Sequence, residues 1–176
     1  MRDFLKFWEA LTFAFSKYRY LERKSKGLPY VIHPIRVTMI LRAAGYSDFE
    51  NEDLLIASLF HDLLEDTDLS FEELEQQFGS NIALIVKDLT KPEDIDKKTW
   101  LASFHSVSKE AKIIKMADRI DNLMDMDSID WDLEKKKAYA KEGLIILENC
   151  QEADLNLALK LKDIINLILL NEFKRN

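Results

Sequence analysis

Turns are what this sequence can least supply. Its 176 residues include only four glycines and three prolines, about a third of the share an average protein spends on them. A β-sandwich or barrel reverses direction about every ten residues, and each reversal draws on Gly, Pro or a small polar residue. Long helices are the alternative. Apolar residues make up 47% and charged residues 32%, the balance of a chain that buries a core rather than staying disordered. A chain of this length can bury such a core unaided. The reading is all-α: a compact single-domain helical bundle spanning residues 1–176.

Helix signals follow one another along the chain. A first helix over residues 2–23 carries Phe4, Trp8, Phe13 and Phe15 and stops before Gly27 and Pro29. Pro34 suits the first residue of the next, which runs on through Leu41 with Gly45 beyond its end. Asn51 is placed to cap a third. Ser70 and Glu73 form a capping box, Gly79 closes that helix, and Ser80 opens another over 80–88. Helical periodicity returns over 110–126, 131–149 and 153–173, while 94–108, after Pro92, carries no firm signal.

The net charge of −7 gives no global basic surface for duplex nucleic acid. No apolar run reaches the length of a membrane span. The first residues lack a signal peptide's apolar stretch and cleavage site, and Cys150 stands alone, so no disulfide framework exists. These features read as a cytoplasmic protein without a membrane or duplex partner.

The chemistry gathers in two segments. Residues 54–64 are apolar on nearly every helical face, the mark of a buried helix. His61 and Asp62 interrupt that run, and Glu65, Asp66 and Asp68 follow at a helix C-terminus, where the dipole disfavours acids. A buried carboxylate must be paired or bound to metal, and a divalent cation supplies the charge this cluster lacks. On a helix continuing to Thr67, Asp62 and Asp66 share a face, as do His61 and Glu65. In the second segment, Ile113, Met116, Ala117, Ile120, Leu123 and Met124 form an apolar stripe beside a flank of Asp118, Asp121, Asn122 and Asp125. Such a row is ordinarily solvated, but one of its acids can complete a metal site with His61 and Asp62, and His33 can add a further ligand. Imidazole with carboxylate suits Mn(II), Fe(II) or Zn(II), oxygen-rich sites leaning to Mn(II). His105, between Phe104 and Ser106, reads as structural.

The order His33, His61-Asp62, Asp118 resembles that of the HD-domain metal-dependent phosphohydrolases, and in particular the hydrolases of the stringent-response alarmone (p)ppGpp. That branch comprises the hydrolase half of the Rel/Spo enzymes and small stand-alone relatives. The stretches that carry the resemblance are Arg23-Lys24-Ser25, the P-Y-x-x-H-P run ending at Pro34, H-D-x-x-E-D-T over 61–67, and K-x-A-D-R-x-x-N-L over 115–123. It implies a helical bundle of the HD-domain type with His33, His61, Asp62 and Asp118 as ligands of a divalent metal, usually Mn(II). It further implies Glu65 and Asp66 as the hydrolytic acids, Arg23 and Lys24 with Ser25 at the guanine base, and Asn122 at the ribose of a small-molecule nucleotide substrate. Departures are Lys17, Tyr18, Tyr20 and Leu21, where the family has an A-H-x-G-Q run, and Met124 in place of an Arg. Two other readings of the residues stay open. One is a phosphohydrolase for another nucleotide bearing a 2′- or 3′-phosphate. The other is a catalytically silent helical module that binds a nucleotide or a partner.

Overall fold

The run Leu54–Phe60, apolar but for Ser58, is buried at every position, and the neighbouring helices are arranged so that this run is kept from solvent. The computed structural model describes residues 2–23 and 27–170. In chain order its helices are α1 (Arg2–Tyr18), α2 (Ile32–Ala43), α3 (Glu52–Phe60), α4 (Leu63–Asp66), α5 (Phe71–Phe78) and α6 (Ser80–Leu89). After them come α7 (Lys97–Ala102), α8 (Lys109–Asp125), α9 (Leu133–Cys150) and α10 (Leu155–Leu169). Among the described residues the β component is a single bridge, Glu22 to Pro29. No helix there is long and apolar enough to cross a membrane.

α3 is covered by α1, α2 and α6, while α8 forms a second axis packed by α2, α9 and α10. α1 approaches α3 closely because it presents Ala10 and Ala14 inward, leaving Trp8 and Phe15 exposed. Gly143 in α9 serves the same end: a Cβ there would stand 2.9 Å from Ile165 Cδ1 and 3.6 Å from Arg119 Cγ. α9 is thereby held tight against α10 and α8.

Ser70 caps α5 as a complete box with Glu73, each side chain paired with the other's backbone. Ser70→Ala removes that cap and is expected to lower the unfolding free energy by about 1 kcal/mol, read by urea denaturation.

Local departures from the sequence reading have local causes. α1 ends at Tyr18 rather than Arg23, because residues 21–23 pair instead with residues 28–30, Tyr30 N–H donating to Leu21 O (2.9 Å) and Arg23 N–H to Leu28 O (3.0 Å). Gly27 turns that loop at φ 69°, a value that favours glycine. α2 starts at Ile32, so Pro34 is its third residue, still within the turn whose N–H groups need no helical partner. Asn51 stands at the N-cap of α3, but its Oδ1 accepts from Ser47 N–H (3.2 Å) and caps nothing. Met124 is exposed rather than part of the apolar stripe.

The correction that matters most is at the end of α3. The helix does not run on to Thr67; it stops at Phe60 and restarts at Leu63. His61 Nδ1–H donates to Ser58 O (2.8 Å), and Asp62, at φ −108° and ψ 0°, leads into α4 with its carbonyl accepting from Asp66 N–H. Consecutive residues of a continuous helix point about 100° apart. The break lets His61 and Asp62 aim at one place.

Candidate metal centre and adjoining cavity

Four side chains converge where α2, α8 and the α3–α4 break meet. His33 Nε2 and His61 Nε2 are 3.2 Å apart. Asp118 Oδ1 is 3.2 Å from the first and 3.9 Å from the second. Asp62 Oδ2 is 3.6 Å and 3.0 Å from the same two nitrogens. Both imidazoles and Asp118 are buried, and ligand atoms of His33, His61 and Asp118 fall within one coordination sphere's reach of each other. Each ring is fixed from behind. His61 Nδ1–H is spent on Ser58 O, and His33 Nδ1 lies 2.7 Å from Asp121 Oδ2. Each Nε2 is therefore the atom that faces the centre.

The supporting charges are buried as well. Lys115 sits over the Trp100 ring at 4.6 Å, with its ammonium 3.0 Å from Asp118 Oδ2. Burial opposes its charge, yet Asp118 outweighs it and raises the Lys115 pKa. Arg23 reaches Asp125 (2.8 Å), Asp121 (3.1 Å) and Asn122 (2.9 Å). Tyr30 donates its hydroxyl to Asp62 Oδ2 at 2.6 Å. Asn122 donates its amide to Asp118 Oδ1.

Tyr30 and Asn122 also border a cavity of about 280 Å³, along with Arg23, Lys97, Trp131 and Tyr139. Two groups that hold the central carboxylates thus face the cavity directly. Arg119 stacks beneath Tyr139 with its guanidinium carbon 4.1 Å from the ring centroid. Glu65 and Asp66, in α4, are both partly exposed. Glu65 Oε2 accepts from Lys91 N–H at 2.8 Å. Burial and the nearby charge of Asp62 push the pKa of both acids up.

A family model described as HD domain matches residues 10–148 of this sequence. The chain belongs to the HD-domain family. The Drosophila melanogaster guanosine-3′,5′-bis(diphosphate) 3′-pyrophosphohydrolase MESH1 is 34% identical over 167 residues, covering 90% of this chain and 92% of that one. A 3′-pyrophosphohydrolase of the same name from Aquifex aeolicus is 34% identical over 76% of this chain, a match that spans 20% of the longer protein. A solved structure of a metazoan ortholog of SpoT that hydrolyzes ppGpp aligns at TM-score 0.84 and 35% identity, over 92% of this chain and 94% of its own.

The HD phosphohydrolase family implies a divalent metal, and the donors of this HD-domain protein fit one. Two imidazole lone pairs 3.2 Å apart repel each other unless a proton or a cation lies between them. Without a cation the protein takes up a proton. Burial disfavours the imidazolium of His61, but Asp62 and Asp118 outweigh it and raise its pKa to about 9. The same histidines hold Asp62 below the usual carboxylate range, and Lys115 together with them holds Asp118 well below it.

A metal held at this centre would compete with that proton for His61. Below pH 9 a metal must displace that proton, so metal affinity is expected to rise about tenfold per pH unit from 6 to 8. It levels off above about 9, where the imidazole is already neutral. Calorimetry in buffers of differing ionisation enthalpy should detect about one proton released per metal bound at pH 7. Uptake independent of pH would contradict the competition.

Of the residues singled out in the sequence, His33, His61, Asp62 and Asp118 come together, and Arg23 and Asn122 border the cavity beside them. Lys24 and Ser25 lie outside the described residues. The sequence reading passed over Tyr30, Lys97, Trp131 and Tyr139, and it gave Asp121 and Asp125 no role beyond a flank that is ordinarily solvated. In the HD-domain protein Asp118, Asp121 and Asp125 are all buried. The overlooked signal was the pair Arg23 and Arg36, whose guanidinium groups meet Asp121 and Asp125.

Proposed function

We propose that this HD-domain protein, working as one domain, hydrolyses the 3′-diphosphate of (p)ppGpp, giving pyrophosphate and GDP or GTP. The observation that carries the reading is the convergence of His33, His61 and Asp118 on one point, next to a cavity lined by cationic and aromatic side chains. Kinship with chains named for that reaction supports it. The proposed ligands are His33, His61, Asp62 and Asp118, and the proposed ion is Mn(II), the usual ion of the family it resembles and one that imidazole with carboxylate donors suits along with Fe(II) and Zn(II). A divalent ion held there supplies Lewis acidity to the phosphoryl group and a nucleophile at neutral pH.

The protein's own groups do the rest. Glu65 and Asp66 orient the attacking water and take its proton, and their raised pKa values bring proton uptake closer to neutral pH. The bond that forms joins the water oxygen to the phosphorus nearest the ribose. The bond that breaks joins that phosphorus to the 3′ oxygen, which leaves with a proton. Trp131 and Tyr139 offer ring faces to a base, and Lys97 offers charge to a phosphate. Arg23 already donates Nε–H and Nη2–H to Asp125, Asp121 and Asn122, so it meets the guanine with its guanidinium plane rather than its edge. Asn122 reaches the ribose from the cavity wall. With local cations, a chain of net charge −7 can hold a polyanion.

Product analysis tests the proposal. Purified protein with Mn(II) and ppGpp is expected to release pyrophosphate and GDP in equal amounts. Absence of pyrophosphate would overturn it. Release of inorganic phosphate from a 2′- or 3′-phosphorylated dinucleotide in its place would reassign the substrate.

A further inference from the structure

Asp121 is a carboxylate on the central helix α8, 4% exposed, and everything it touches carries or can carry positive charge. Its Oδ2 is 2.7 Å from His33 Nδ1 and 3.1 Å from Arg23 Nη2. Its Oδ1 is 2.9 Å from Arg36 Nε. Two guanidinium groups, which stay charged at any ordinary pH, keep the acid an anion inside the protein. An anionic oxygen at Nδ1 demands the N–H tautomer there, which leaves the lone pair on Nε2. That Nε2 faces His61, Asp62 and Asp118.

We propose that Asp121 is a positioning residue of the metal centre, acting through His33. It fixes the ring's tautomer and orientation, while Arg23 and Arg36 hold its carboxylate in place. This rests on the reading of His33 as a metal ligand. It also gives Arg23 a second task, because one guanidinium borders the cavity and holds the acid behind a ligand. The resemblance that singled out His33 and Asp118 assigned nothing to Asp121 or Arg36.

Three variants separate the possibilities, with Mn(II) affinity measured by competition against a fluorescent chelator and folding followed by thermal melting. His33→Gln tests the ligand. Asp121→Asn keeps the size but removes the charge and can present an amide N–H to Nδ1, favouring the wrong tautomer. Asp125→Asn is the control, since Asp125 shares both arginines, at 2.8 Å from Arg23 and 3.2 Å from Arg36. Asp121→Asn is expected to weaken Mn(II) binding by about 10- to 100-fold, and Asp125→Asn to leave affinity at the wild-type value even if it melts earlier. Wild-type affinity in Asp121→Asn, or an equal loss in Asp125→Asn, overturns the proposal. Unchanged affinity in His33→Gln strikes the ligand assignment instead. Should Asp121→Asn fail to fold, the wild-type protein loaded with diamagnetic Zn(II) still decides. With three histidines in the chain, nitrogen NMR is expected to show His33 protonated at Nδ1 and metal-bound at Nε2. The reverse arrangement overturns the proposal.

Discussion

Converting Glu65 and Asp66 together to Gln and Asn is expected to lower turnover by about 10²-fold or more, the scale of general acid–base catalysis, with metal and nucleotide still bound. The geometry separates this effect from structural damage. Glu65 Oε2 accepts from the backbone of Lys91, and a Gln carbonyl can accept the same bond, so the 90s loop keeps its anchor. Burial and Asp62 push both acids upward. A carboxylate whose pKa is raised on folding disfavours the folded state as pH rises through that pKa. Amides relieve this repulsion, so the double variant should melt at the wild-type temperature or slightly above. Neither acid is among the four proposed ligands, so metal content should stay. Single-turnover rates, metal analysis and a thermal melt together make the check. Wild-type turnover would remove both residues from the chemistry, and lost metal would make one of them a ligand.

Asp62→Asn is expected to remove metal and activity together. Asp62 Oδ2 lies 3.0 Å and 3.6 Å from the two Nε2 atoms and accepts from Tyr30 at 2.6 Å. An Asn carbonyl can keep the Tyr30 bond but lacks the charge. Apart from burial, which opposes it, Asp62 is the foremost cause of the raised pKa of His61. Without Asp62, that pKa should fall from about 9 toward or below the ordinary histidine range. Two losses coincide: one anionic ligand, and the field that makes the site attractive to any cation. Nitrogen NMR titration of metal-free protein reads the second directly, and metal analysis reads the first. An unchanged His61 titration would place the dominant charge on Asp118 instead.

The helices were legible in the sequence because each has a local signature, whereas the four proposed ligands were singled out by their order along the chain and the resemblance it carries. Ser70 with Glu73 marks a helix start by chemistry confined to four residues, and the box forms as read. Scarce turn residues pointed to helices before any position was considered. What escaped depends on tertiary charge pairing. Asp121 and Asp125 look like a solvated flank until Arg23 and Arg36, distant in sequence, are folded against them. The break after Phe60 escaped because nothing in 54–67 is a helix breaker. It coincides with His61 and Asp62 aimed at a common point and with Tyr30 holding Asp62. Periodicity describes one helix at a time and has no means to register such a convergence.

The imidazolium at His61 has a bearing on the order in which this protein is assembled. Small zinc modules fold only when their metal arrives, because without it the ligands have no partner and the core is too slight. Here a proton occupies the place of the cation, and the apolar packing of α3 against α1, α2 and α6 includes none of the four proposed ligands. The chain is therefore expected to fold before its ion arrives, and a cooperative thermal melt of chelator-treated protein checks it. Metallation is then a late exchange of one positive charge for another, open to reversal by a chelator and governed by which ion the cell has to spare.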